Sequence, residues 1–357
     1  MPRPRPCLRR RRALCTAAHG HGLGRRRRLC AARPLGLRQD HAAQYRLSSL
    51  LTPSHGQVLF EGRDVTAQTP RERNIAQMFL FPVIYDTMSV FDNLAFPLRN
   101  RSMGKAETER RVREIAALLG LEDALRQPAL GLAEDAKQKI SLGRSLVRQD
   151  VAAILFDEPL TVIDPHLKWQ LRQQLKQIHQ ELKLTLIYVT HDQVEALTFA
   201  DEVVVMTEDK VVQKGTPEAL FLRPDHRFVG YFIGSPGMNL FDVAPRDGAL
   251  ALAGYRLKPE AALLSRLEGA AAGLRLGLRP EFVRLATPGE PGAVEADVLR
   301  LQDLGASLLL TAAVHGEPGM QINARLEPGT RVSQGRQWLR LLAPETVFFA
   351  GDRRIEL

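Results

Sequence analysis

At 357 residues the chain is long enough for two domains. Its formal net charge is +9, and all three cysteines (Cys7, Cys15, Cys30) fall at its start, which excludes a disulfide framework and fits a reducing cytosol. No apolar run reaches the roughly 18 residues of a membrane span, so the chain is expected to be soluble and to reach a membrane only through a partner.

The charge is unevenly placed. Residues 1–46 hold 13 arginines and a single acid, Asp40, a net +12, so the remainder carries −3. The composition changes abruptly at about Ser48. A mitochondrial-type presequence fits this stretch poorly, because Pro2, Pro4 and Pro6 interrupt it and its arginines are clustered rather than amphipathic. A nucleic-acid arm would interleave aromatics with the charge, and Tyr45 alone does so.

Further on, Val58-Leu59-Phe60 and Ile75 to Phe81 read as strands around a turn-rich connection. Lys105 to Leu119 reads as an amphipathic helix with Val112, Ile115, Ala116 and Leu119 on one face, and Gln138 to Arg148 as another helix. Ala153-Ile154-Leu155-Phe156 reads as a strand buried on both faces. With Asp164 as N-cap and Pro165 as first residue, a helix follows in which Leu167, Leu171, Leu175, Ile178 and Leu182 form a core stripe. Leu186-Ile187-Tyr188-Val189 is again a buried strand. From about residue 235 the pattern changes to short β-like runs separated by Pro288-Gly289, Pro291-Gly292 and Pro328-Gly329, which read as turns.

The two buried strands carry chemistry at their carboxyl ends, where open α/β sheets place it. The first ends in Asp157 and Glu158. Asp157 is suited to hold Mg²⁺ through its hydration shell, and Glu158 to orient or deprotonate a water. The second ends in Thr190-His191-Asp192, one strand–helix–strand unit later. Either run alone reads equally well as solvated loop charge; together they read as half of an ATP-hydrolysing site.

From roughly Leu50 onward the chain resembles the ATPase subunits of ABC transporters, in the carbohydrate-import branch. Asp157-Glu158 stands at that family's Walker B position, Thr161-Val162-Ile163-Asp164 at its D-loop and Thr190-His191-Asp192 at its H-loop. Asn93 to Leu98 resembles the opening of its helical subdomain. Phe228 to Pro236 and Leu276-Gly277-Leu278-Arg279-Pro280-Glu281 resemble the exit from the ATPase domain and the accessory domain of sugar-type importers. Phe81 to Asp86 and Lys137 to Arg144 are similar to a subgroup associated with glycerol uptake. The resemblance implies an α/β P-loop NTPase-type core at 48–234, with a helical subdomain at about 83–135. A mainly β accessory domain of the oligomer-binding-barrel type would occupy 235–357. It implies ATP and Mg²⁺ as cofactors, Glu158 as general base, Asp157 as the metal carboxylate, His191 as the γ-phosphate sensor and Asp164 as a cross-dimer contact. The implied partners are membrane permease subunits, a second ATPase subunit and, indirectly, a solute-binding protein, at the cytoplasmic face of the inner membrane and with no nucleic acid.

Three departures stand against it. The P-loop, G-x-x-x-x-G-K-S/T, cradles phosphate with backbone amides and a lysine. It should precede Leu50, yet the first lysine of the chain is Lys105. The signature motif L-S-G-G-Q aligns with Leu132-Ala133-Glu134-Asp135-Ala136. Its two carboxylates would each repel a triphosphate by about 1 kcal/mol even when well screened, which favours pairing with a different ATPase subunit. The Q-loop position is Leu80, which cannot ligate a metal; Gln77 lies three residues early, within the expected strand. For the chain as written, these departures favour a non-catalytic structural or regulatory subunit.

A frameshift accounts for the first departure, with residues 1–47 out of frame. With GC-leaning codons, Ala31 to Leu47 read from the second nucleotide give LLGPSGCGKTTLLNIV, a complete P-loop entering a helix. Synonymous codon choice supplies part of that match, but Gln39 followed by Asp40 permits only lysine or arginine in that frame. Asp40 followed by His41 then permits only threonine or isoleucine. The coding DNA across codons 31–47 is therefore expected to hold the motif one nucleotide out of frame. Codons incompatible with Gly-Lys-Thr-Thr there would remove the idea.

Overall fold

The computed structural model describes residues 28–32 and 56–356, apart from 61, 80, 161, 162, 164, 183, 184, 208, 209 and 270–272. The chain forms two compact units, one up to Pro217 and one from Glu218. In chain order the first contains β1 (Arg28–Ala32), the hairpin β2 and β3 (Leu59–Phe60, Arg63–Asp64), α1 (Pro70–Arg73) and β4 (Ile75–Met78). Next come α2 (Val90–Arg99), α3 (Lys105–Leu119), α4 (Glu134–Leu146), β5 (Ala153–Asp157), α5 (Pro165–Leu182) and β6 (Leu186–Thr190). It closes with α6 (Gln193–Phe199), β7 (Glu202–Thr207) and β8 (Lys210–Gly215).

Six of these strands form one sheet in the order β4-β5-β6-β1-β7-β8. The first five are parallel, and β8 pairs antiparallel to β7 at the edge. All five residues of β5 are buried, as are Leu186, Ile187 and Tyr188 of β6, which is why both strands read as unbroken apolar runs. The Arg-rich stretch expected to be out of frame contributes a strand: Arg28–Ala32 lies between β6 and β7 in the sheet. Its short run Leu29-Cys30-Ala31-Ala32 is hidden in the sequence by the arginines before it.

The helical segment between β4 and β5 packs tightly. α2 begins at the Ser89 cap, whose hydroxyl accepts from the Asp92 amide at 3.0 Å. α3 buries the predicted face of Val112, Ile115, Ala116 and Leu119, and ends at Gly120 in the left-handed conformation that glycine favours. Gly143 of α4 allows the closest approach: a Cβ there would lie 2.5 Å from the Leu94 side chain and 3.0 Å from that of Leu119. Buried Arg111 of α3 donates to the Leu146 and Val147 carbonyls at 2.9 and 3.0 Å, satisfying the end of α4. β4 and α4 differ in extent from the sequence reading. β4 stops at Met78, and Phe79 and Phe81 beyond it are exposed. α4 starts at Glu134 rather than Gln138, because Glu134 and Asp135 are favoured in a first turn by the helix dipole.

The second unit is mainly β, as expected. Helices α7 (Pro217–Leu222) and α8 (Arg227–Phe232) lead into β9 (Asn239–Asp242), β10 (Ala244–Arg246), β11 (Ala249–Leu252) and β12 (Tyr255–Leu257). After α9 (Ala261–Glu268) come β13 (Leu274–Leu278), β14 (Arg284–Ala286), β15 (Ala293–Asp303) and β16 (Leu308–Val314). The last are β17 (Glu317–Leu326), β18 (Arg336–Arg340), β19 (Val347–Ala350) and β20 (Arg353–Arg354). They form antiparallel sheets in the orders β10-β11-β12, β20-β19-β13-β9 and β14-β18-β15-β16-β17. Leu250, Leu276, Leu310, Ile322, Leu339 and Phe348 lie at the centre of their shared core.

Arg279, just after β13, ties the entry helices to this core. It is 1% exposed and donates to the Leu220 and Gly230 carbonyls at 3.3 and 3.2 Å and to those of Phe221 and Ile233. Its guanidinium lies 4.1 Å from the centre of the Phe221 ring. Burial pushes its pKa down to about 10, so it stays charged at neutral pH. Replacing Arg279 with alanine leaves these buried carbonyls without a charged donor and is expected to lower the stability of this unit by about 3–5 kcal/mol. Lysine should restore little, because it lacks the planar fork. Trp338 and Trp169 are the two tryptophans, so urea unfolding followed by Trp338 fluorescence in a Trp169→Phe background measures the effect.

Candidate functional site

Register brings the chemistry to one edge of the sheet. Ala32 at the end of β1 pairs with Thr190 at the end of β6, and Asp157 at the end of β5 pairs with Val189. Three neighbouring parallel strands therefore end together, with Glu158 and His191 the next residues after two of them.

Asp157 is 4% exposed. Glu158 takes φ = +47°, a left-handed conformation that a residue with a side chain adopts at a cost of about 1–3 kcal/mol. Its amide donates to the Val189 carbonyl at 2.9 Å, and this turn swings its carboxylate across the end of β6. There Glu158 Oε1 lies 3.0 Å from His191 Nδ1, at ion-pair distance but without the alignment of a hydrogen bond. The predicted carboxylate and imidazole, 33 positions apart in sequence, thus meet directly. Leu80 and Asp164 lie outside the described residues.

Two residues not singled out by sequence complete the surroundings. Gln138 of α4 is fully buried and donates to the Pro159 carbonyl at 2.6 Å, holding the turn after Glu158. Its spacing to Ser141, Leu142, Ser145 and Leu146, all buried, was the available signal. Glu195 of α6 is 1% exposed and accepts from the Tyr188 and Thr190 hydroxyls at 2.8 and 3.0 Å. Four residues before buried Phe199, it sits on the apolar face of its helix.

The amino end of α4 carries Ala133 at the cap, with no side-chain hydrogen bond, and Glu134 and Asp135 in the first turn. Glu134 pairs with Lys137 at 3.1 Å. A helix start suited to anions here already holds two carboxylates.

Comparison with known proteins fixes the family. The ABC transporter family model matches residues 45–161. The chain is 38% identical over 304 residues to the sn-glycerol-3-phosphate import ATP-binding protein UgpC of Salmonella typhi, covering 83% of this chain and 82% of that protein. The chain belongs to the ATP-binding subunits of ABC transporters. It is also 36% identical over 282 residues to the oligosaccharides import ATP-binding protein MsmX of Bacillus subtilis, covering 77% of each. Among solved structures, cbiO1 from Clostridium perfringens, described as part of the ABC transporter complex cbiONQ, matches with a TM-score of 0.50 at 23% identity. That match covers 55% of this chain and 80% of cbiO1, and it supports the α/β core fold.

As an ABC subunit the chain should use ATP and Mg²⁺, and its residues fit that use on one side only. Buried Asp157 is a hard oxygen donor of the kind that holds Mg²⁺ through water and substrate phosphate. Glu158, next in the chain, is a carboxylate of the kind that can orient or deprotonate water. The phosphate cradle does not fit, since no P-loop sequence precedes Leu50. Among the described residues, no helix is long and apolar enough to cross a membrane.

Proposed function

We propose that this chain derives from the ATP-hydrolysing subunit of an importer for a carbohydrate or polyol, and that its P-loop is displaced into a second reading frame. The observation that carries this is the position of β1. A phosphate-binding loop opening directly after Ala32 would start beside Thr190-His191, one strand away from Glu158. With GC-leaning codons, the alternative frame places its first P-loop glycine at codon 33. The family match begins only at residue 45, after the codons that would hold Gly-Lys-Thr-Thr in that frame. The solute class rests on the relatives, whose names concern sn-glycerol-3-phosphate and oligosaccharides.

In this reading Asp157 holds the metal, Glu158 is the general base, His191 contacts the γ-phosphate and Asp164 makes the cross-dimer contact, while Leu80 stands at the Q-loop position without a group to ligate metal. The subunit lies at the cytoplasmic face of the inner membrane, attached through permease subunits that receive solute from a binding protein. The acidic first turn of α4 supports pairing with a different ATPase subunit that supplies an intact signature. The chain as written, without a P-loop, is better described as a non-catalytic member of that assembly.

Restoring the second frame across codons 31–47 is expected to give phosphate release only when a partner ATPase with an intact signature is present. Glu158→Gln should then lower turnover by about 10²–10⁴-fold. Steady-state phosphate release, with and without the partner, measures both. Full activity of the restored protein alone would show Ala133-Glu134-Asp135 to be a working signature and overturn the asymmetric pairing.

A further inference from the structure

His191 stands in a loop whose two flanking residues are both anchored. The Thr190 hydroxyl donates to Glu195 Oε2 at 3.0 Å, and its oxygen accepts from the Asp192 amide at 3.0 Å. Asp192 in turn accepts from the amides of Val194 and Glu195 at 2.8 and 3.2 Å, starting α6. An ionised carboxylate has acceptors only. Glu195 therefore obliges Thr190 to donate to it, which leaves the Thr190 lone pairs for Asp192. The hydroxyl is oriented, and the loop is pinned on both sides of His191.

The other oxygen of Glu195 faces a different element. Lys168 Nζ of α5 lies 3.7 Å from Glu195 Oε1, and the carboxylate is almost fully buried. α5 begins at Pro165, directly after Asp164. One buried carboxylate thus spans the His191 loop and the helix that follows the Asp164 position.

We propose that Glu195 is a positioning residue that fixes the His191 imidazole against Glu158 and couples it, through Lys168, to the start of α5. The proposal rests on the reading of His191 as a site residue. Its chemistry makes one substitution diagnostic. In Glu195→Gln the amide oxygen serves the two hydroxyls, and the amide NH₂ then faces the Lys168 ammonium, donor against donor. Adding Lys168→Met removes that conflict and should restore the arrangement.

The test uses two readouts. In the 357-residue chain, hydrogen exchange at the Asp192 amide is expected to rise about tenfold in Glu195→Gln, the loss of roughly one hydrogen bond, and to return in Glu195→Gln/Lys168→Met. Exchange at Val203, in β7, should not change. In the frame-restored protein with its partner, Glu195→Gln should lower kcat about tenfold with KM unchanged, again with rescue by the double variant. Unchanged exchange at Asp192 would overturn the proposal, and so would increased exchange across the whole sheet, which marks mere loss of stability. Exchange decides the positioning claim without turnover, so a restored protein that is inactive while Asp192 responds would count against the catalytic reading and not against Glu195.

Discussion

The parallel register of β1, β6 and β5 is the constraint on which the site depends. Side by side and ending at the same level, these strands bring residues separated by up to 126 positions, Ala32 and Glu158, to one edge. Hydrogen bonding along the ladder fixes that level, and burial of β5 and β6 fixes which of their residues leave the sheet as polar ends. A slip of one strand would move Asp157 or Thr190 out of line and separate Glu158 from His191. Everything chemical in the first unit follows from this alignment. The strained turn at Glu158 lies where β6 ends beside it, and Gln138 holds that turn through the Pro159 carbonyl.

The sequence was most informative where one pattern served both burial and chemistry. β5 and β6 were legible to within one residue, because an apolar run that stops at Asp157 or Thr190 marks both a buried strand and its end. The α3 helix was legible from spacing, and α5 from spacing together with Pro165 at its start. Glu195 and Gln138 were not read as site residues, although their spacing placed them on buried faces. Spacing shows which face a side chain occupies, but the partners of Glu195 come from β6 and α5, and that of Gln138 from the turn after β5. The Glu158–His191 contact likewise depends on a left-handed backbone at a non-glycine residue, which carries no compositional mark. β1 was missed for a different reason: its small apolar residues are outweighed by the arginines around them.

The two halves of a nucleotide site are unequally present in this chain. On one side, buried Asp157, strained Glu158 and His191 lie together at the ends of β5 and β6. The side that binds phosphate has no matching sequence, and the amino end of α4, which would complete a partner's site, is acidic. In the second unit, by contrast, the Arg279 clasp on the ends of α7 and α8 is complete.

Equilibrium binding of Mg-ATP tests this account most directly. Calorimetric titration of the 357-residue chain should give an affinity much weaker than micromolar, since Asp157 and Glu158 without amides or a lysine leave the triphosphate uncompensated. The same titration of the frame-restored protein should give micromolar binding. Micromolar affinity in the chain as written would contradict the account, because it would mean that a phosphate cradle exists without the P-loop.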